Sequence, residues 1–272
     1  TIIVDNNACN DRSFTVLNLT RFVNLRVFEV GNYSFSYVNE MHMIGLSELE
    51  RVVIGENSFS QYKSTFDSYG SGEFSLKDCD KLRELRIGVS SFSNYASCVI
   101  EDNAHLEVVE MGKLYHWGNN FYHASLEMKN LPKVESITIG LDMFYDCPRA
   151  VFENLPELTS IQLGDGTLAF YHYMNSTELI MRNLPKLTTL VSLGIPNDYY
   201  LYPSFSFPRI VTLENMPSLT TVDLPRAFEY RNEVYINNAG VLATLPSLVS
   251  NPNATVHSIE ELNALDSTIE TI

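Results

Sequence analysis

The chain is 272 residues long and 45% apolar, and its 33 acidic side chains against 18 basic ones give a formal net charge of −15. A field of that sign repels phosphate backbones and anionic lipid, which argues against nucleic-acid and membrane-surface roles. No apolar run is long enough to span a bilayer and no basic-then-apolar leader is present, so no membrane insertion is expected of this segment.

Taken from its start, the chain reads as one phrase repeated about every two dozen residues. Ile2-Ile3-Val4-Asp5 falls on the phase of Ile137-Thr138-Ile139-Gly140, so Thr1 stands partway through a repeat and a longer parent protein is expected. The phrase then recurs as Leu25 through Gly31 to Phe35, as Leu49 through Gly55 to Phe59, and as Leu82 through Gly88 to Phe92. After a looser copy from Gly112 to Phe121 it is clearest over residues 126–144. There Leu126-Glu127-Met128-Lys129 alternates apolar and polar, as a short strand with one buried face does. Asn130-Leu131-Pro132 turns the chain, Val134 to Ile139 forms a second strand, Gly140 marks a place where the backbone needs a permissive residue, and Phe144 plugs the core. An apolar spacing near two and abundant β-branched residues exclude helix. The corner returns as Asn154-Leu155-Pro156, Asn183-Leu184-Pro185 and Asn215-Met216-Pro217, where Asn either bonds a neighbouring coil or adopts a left-handed conformation. Looser copies run from Gly164 to Phe170 and from Leu219 through Pro225 to Phe228. Val234-Tyr235-Ile236 and Leu242 to Leu245 still fit the pattern; Asn251-Pro252-Asn253 breaks it, and Ser258-Ile259-Glu260-Glu261-Leu262 reads as a capping box opening a short helix over the last coil.

The Leu-x-x-Ile-x-Ile-Gly-x-x-x-Phe phrase followed by a Leu-x-Leu stretch resembles leucine-rich repeats of the BspA-like type, found in surface and secreted proteins of bacteria and protists. The resemblance covers residues 1–250 and departs from the usual leucine-rich repeat in lacking a helical segment. It implies a mainly β, right-handed solenoid of about nine coils of roughly 24 residues, with strands on both the concave and convex sides, forming a single domain over 1–272 in which 251–272 is a degenerate coil or cap. It implies a non-catalytic binding or adhesion scaffold on or outside the cell, with no cofactor. A cytoplasmic location is the alternative, and a structural protein whose copies self-associate is the alternative function.

Candidate sites come from the unequal copies. From Gly to Gly the steps are 24 (31→55), 33 (55→88), 24 (88→112), 28 (112→140) and 24 (140→164) residues. The extra residues fall mainly after the Gly, at 61–73, 113–120, 165–177 and 195–207, and insertions at one phase emerge on one rim. That rim carries Tyr62, Tyr69, Tyr115, Trp117 (the sole tryptophan), Tyr122, Tyr171, Tyr173, Tyr199, Tyr200 and Tyr202. Tyr and Trp give large, stiff contact area with a polar handle, suited to a protein or glycan ligand; the competing reading is that several fold back over their own loops. The positions after three plugs align His123, Asp146 and His172, which in register would make a column able to hold a divalent metal, or else a hydrogen-bonded surface ladder.

On the concave face, Arg26, Glu29, Glu50, Arg51, Arg83, Glu84, Arg86, Glu107 and Glu110 are expected to pair across strands, and Thr159, Ser160, Thr188, Thr189, Thr220 and Thr221 make a neutral hydroxyl field. No nucleophile elbow, phosphate-cradling glycine loop or His-Glu-x-x-His occurs. A carboxylate pair such as Glu107 and Glu110 is the remaining enzymatic option, and Arg83 and Arg86 are placed to neutralise it. Cys9, Cys79, Cys98 and Cys147 show neither a disulfide framework nor metal-type spacing. Asn18, Asn32, Asn175 and Asn253 head Asn-x-Ser/Thr triplets, no more than such a composition yields by chance.

Overall fold

A computed structural model describes residues 1–60, 71–171, 176–193, 202–249 and 255–258. It is mainly β, a solenoid of about eight turns with almost no helix. Each coil contributes one strand to each of two parallel sheets. The front sheet, expected to be concave, has nine strands, from Ile2–Val4 through Ser136–Ile139 to Thr221–Asp223; the back sheet has ten, from Val16–Asn18 through Ser125–Lys129 to Thr255–His257. The period-two pattern drives this arrangement, because alternate residues must face a shared interior. In Ser136–Ile139, Ile137 and Ile139 are fully buried while Ser136 and Thr138 look outward. The pairing is in register from coil to coil, so Val52, Leu85, Val109, Ile137, Ile161 and Leu190 form one inward row of the front sheet. In the back sheet Phe74, Cys98, Leu126, Ala150 and Leu179 do the same.

The turn from front to back sheet is the tightest part of the coil. Gly55, Gly88, Gly140 and Gly164 have ordinary φ angles; what they supply is space. A Cβ on Gly88 would lie 2.6 Å from the backbone of Gly55, and one on Gly164 would lie 2.4 Å from the backbone nitrogen of Leu141. The residue need at this position is therefore closeness of neighbouring coils rather than conformational freedom, Gly112 with φ +63° being the exception.

The unusual dihedrals fall a few residues later, at the plug. Phe35, Phe59, Phe92, Phe121, Phe144, Phe170, Phe205 and Phe228 all have φ between 50° and 63°. A left-handed residue with a side chain costs about 1–2 kcal/mol, yet full burial of the ring contributes about 1.5–3 kcal/mol and ring stacking about 0.5–1.5 kcal/mol. The rings form a column through the interior, with centroids 4.9 Å apart from Phe35 to Phe59, 4.7 Å to Phe92, 5.0 Å to Phe121 and 5.1 Å to Phe144. Beside it runs a buried polar column. The Ser58 hydroxyl donates to the Gly31 carbonyl at 2.8 Å and accepts from the Ser34 amide at 3.1 Å; the Ser91 hydroxyl donates to Gly55 at 2.7 Å, and the Asn120 side-chain amide to Gly88 at 2.7 Å. These bonds satisfy backbone groups that the sharp turn removes from the sheets.

The return corner is an asparagine ladder. Asp102, Asn130, Asn154, Asn183, Asn215 and Asn238 are left-handed, with φ between 50° and 58°. Each side-chain amide donates to the residue one coil earlier: Asn130 to Asp102 (2.9 Å), Asn154 to Asn130 (2.8 Å), Asn183 to Asn154 (2.8 Å) and Asn215 to Asn183 (3.2 Å). Both roles offered for Asn by the sequence thus operate together, with a neighbouring side chain rather than the backbone as partner.

The far end departs from the pattern. Gly240–Thr244 is a 3₁₀ turn, not the strand expected over 242–245, because the Val241 amide already bonds the Leu219 carbonyl and Leu242 turns inward to fill the core. The buried Arg231 guanidinium donates to the carbonyls of Leu248 (3.0 and 2.7 Å) and Phe228 (2.9 Å), pinning the short helix Pro246–Val249 across the coil. Most of the helix expected at 258–262 lies outside the described residues.

All four cysteines are free, with Cys9 exposed and the others buried. Burial pushes the Cys79 thiol up to about 11 and the Cys147 thiol up to about 12. A thiol-reactive chromophore should therefore titrate Cys9 alone in the native protein and all four thiols in denaturant. Replacing Asn154 separates strain from the ladder. Asn154→Gly should lose about 1–2 kcal/mol in urea unfolding through its two side-chain hydrogen bonds. Asn154→Ala should lose about 1 kcal/mol more, because Ala resists the left-handed backbone, reversing the usual preference of strands for Ala over Gly.

Candidate functional site

The connection from front to back sheet presents two different aromatic surfaces, and both arise from the plug turn. Where the loop is short, the residue just after the plug stacks on its counterpart in the next coil, since register brings their Cα atoms to one strand spacing. Tyr122 and Tyr145 stack with centroids 5.4 Å apart, Tyr145 meets Tyr171 at 5.5 Å, Tyr171 and Tyr202 stack at 4.8 Å, and Phe207 stacks on Tyr230 at 4.6 Å after an edge contact with Tyr202 at 4.7 Å. Each ring of a stacked pair in this ribbon has at least one face taken. Tyr145 is only 7% exposed, and the same burial raises its phenol pKa. Tyr122, Tyr171 and Tyr202 of the expected rim belong to the ribbon. Tyr145, Phe207 and Tyr230 complete it and were missed, although their place one or two residues after a plug was visible in the sequence.

The second surface is the insertion after Gly112. Residues 113–118 form a narrow tip closed by the antiparallel bridge between Lys113 and His116. Lys113 reaches Glu56, two coils back, at 2.8 Å, the His116 ring contacts the Trp117 carbonyl at 3.1 Å, and the Gly118 amide bonds Leu141 O at 3.2 Å. The tip is thus anchored at both ends. Tyr115 is 63% exposed and Trp117 46% exposed, and neither stacks on another ring among the described residues. The expected insertion 113–120 is shorter in fact, because Asn120 is a buried member of the polar column. Likewise, residues 165–170 are an ordinary plug turn with Thr167, Leu168 and Phe170 buried, and Phe205 within 195–207 is itself a plug. Tyr62, Tyr69, Tyr173, Tyr199 and Tyr200 lie outside the described residues.

The plug insertions leave the register intact: Asp146 N bonds Tyr122 O at 2.9 Å and Tyr171 N bonds Tyr145 O at 3.1 Å. His123 Nδ1 consequently sits 2.8 Å from Asp146 Oδ2, both side chains largely buried. The ladder expected as the alternative to a metal is a surface one that includes His172; this contact is one described pair of it, and it is largely buried. Among the described residues no group of three or more His, Cys, Asp or Glu side chains could hold an ion, and His172 lies outside them.

On the front sheet the charges pair across strands. Arg26 binds Glu50 at 2.6 Å, Arg51 bridges Glu29 and Glu84, Arg86 bridges Glu84 and Glu110, and Arg83 binds Glu107 at 3.2 Å. Hydrogen bonds from Arg86 and then Arg51 hold the Glu84 carboxyl below its ordinary range. Part of the hydroxyl field is also occupied: Thr159 and Thr188 donate to the carbonyls of Glu135 (2.9 Å) and Thr159 (3.1 Å). Of the Asn-x-Ser/Thr triplets, Asn18 is exposed and accepts from the Thr20 amide and hydroxyl, whereas Asn32 accepts from the Glu56 amide and its Ser34 is buried. Asn175 and Asn253 lie outside the described residues. Within the described residues no helix is long and apolar enough to cross a membrane.

No family model, no curated protein and no solved structure matches this chain.

Trp117 is the only tryptophan, so intrinsic fluorescence reads the tip directly. Emission should be that of a water-exposed indole and be quenched efficiently by acrylamide. Glu56→Ala, which removes the anchor of Lys113, should raise the quenching constant while leaving the far-ultraviolet circular dichroism unchanged.

Proposed function

We propose that this chain is a non-catalytic recognition module, a leucine-rich-repeat solenoid of the BspA-like type that binds a protein or glycan partner outside the cell or at its surface. One observation carries this reading: an anchored insertion holds Tyr115 and Trp117 exposed to water, and neither stacks on another ring among the described residues. Exposed aromatic side chains on an anchored backbone are what recognition surfaces use, since Tyr and Trp have few rotatable bonds and lose little side-chain entropy on binding. The acidic residues of the front sheet support the non-catalytic part. Glu107 and Glu110, where a carboxylate pair would stand, are engaged by Arg83 and Arg86. The net charge of −15 favours a partner other than nucleic acid.

Self-association is the second reading, favoured by the aromatic ribbon, whose Tyr202 and Tyr230 remain 37% and 42% exposed and could meet the same rings of another copy.

One experiment separates the readings. The wild-type segment and a Tyr115→Ala/Trp117→Ala variant are used as baits, and captured proteins and glycans are identified by mass spectrometry. A partner held by the wild type and lost from the variant is the expected result. Capture by both baits would place recognition on the front sheet or the ribbon, and capture of this chain alone by both would favour the self-associating reading.

A further inference from the structure

We infer that the 113–118 tip is a glycan-binding site whose ligand is an uncharged polysaccharide, with Tyr115 and Trp117 lying against the faces of its sugar rings. The inference deepens the recognition reading above and rests on it.

Three observations select this ligand class. The first is the difference between the two aromatic surfaces. A sugar ring presents a flat array of C–H bonds to the electron-rich face of an aromatic ring, not to its edge. In the ribbon, Tyr122 stacks on Tyr145, Tyr171 on Tyr202 and Phe207 on Tyr230, so each of these rings has at least one face taken. Tyr115 and Trp117 stack on no other described ring, and they are also the more exposed. The second is charge. Lys113 carries the only formal charge in residues 113–118, and it is paired with Glu56 at 2.8 Å. A surface neutralised in this way offers nothing to an acidic or basic polymer and leaves stacking and hydrogen bonding as the means of recognition. The third is the polar handles. Among the described residues the Tyr115 hydroxyl and the Trp117 indole N–H bond no protein group, so both can meet sugar hydroxyls.

The test uses the intact segment and the fluorescence of Trp117. Soluble uncharged polysaccharides (a mixed-linkage β-glucan, an arabinoxylan and a galactomannan) are titrated singly, with polylysine and polygalacturonate as charged controls, at low and at high salt. The expected result is a saturable blue shift with at least one neutral polysaccharide, unchanged by salt. Its apparent Kd should rise at least tenfold in Tyr115→Ala, while Trp117→Ala should lose retardation in a gel containing the same polysaccharide; both variants should keep the wild-type urea midpoint. A shift only with a charged polymer, abolished by salt, overturns the inference, as does the absence of a shift with every neutral polysaccharide. In that event, a partner still captured by the wild-type bait and lost from Tyr115→Ala/Trp117→Ala leaves recognition standing with a non-glycan ligand. Loss of both results removes the recognition reading as well.

Discussion

In the coils that carry Gly55, Gly88, Gly140 and Gly164, the front-to-back turn brings neighbouring backbones so close that no side-chain carbon fits between them, although Leu193 stands at this phase beside Gly164. The glycines at 55, 88, 140 and 164 are the direct consequence, since a Cβ there would lie within 2.4–2.6 Å of the neighbouring coil's main chain. Once the coils are that close, the chain must turn sharply to reach the back sheet, and it does so through left-handed residues that bury a phenylalanine. The strain would be unfavourable for an isolated residue. It is tolerated because each ring is buried, because those from Phe35 to Phe144 also stack on one another, and because hydroxyls such as those of Ser58 and Ser91 donate to the stranded backbone carbonyls. One contact distance thus links glycine spacing, the phenylalanine column and the buried polar column.

The same register decides which surface groups remain available. Repeating a residue type at one phase places like side chains a strand spacing apart, where they interact with each other before they meet anything else. Front-sheet charges become an ion-pair network, the corner asparagines become a ladder, and the tyrosines after the plugs become a ribbon of stacked rings. Exposed ion pairs of this kind contribute little stability individually, about 0.2–1 kcal/mol each. A departure from the repeat can escape this self-satisfaction. The insertion at 113–118 is such a departure within the described residues, and it holds Tyr115 and Trp117 exposed and unstacked on any other described ring.

The sequence was informative about sites in proportion to how far neighbouring coils were considered. Tyr122, Tyr171 and Tyr202 look equivalent to Tyr115 and Trp117 in a linear reading, because all are aromatic residues near an insertion. Stacking separates them, and stacking depends on the adjacent coil. The His123–Asp146 contact follows from alignment of the post-plug residues, and the structure gives it as a largely buried hydrogen bond with Tyr122 edge-on to the imidazole. The serine column could have been found from the recurring Ser-Phe pairs at 34–35, 58–59, 91–92 and 204–205, a signal obscured by the general abundance of serine.

By itself the sequence determined the solenoid, its repeat length, the inward rows of each sheet, the plug positions and the pairing of the front-sheet charges, because all of these follow from local periodicity. Tertiary structure alone decided why the glycines are needed, that the asparagines bond one another, that 240–244 closes the core as a 3₁₀ turn, and which aromatic rings stack on a neighbour. Each of these is a property of the distance between consecutive coils, and a single coil's sequence does not contain that distance.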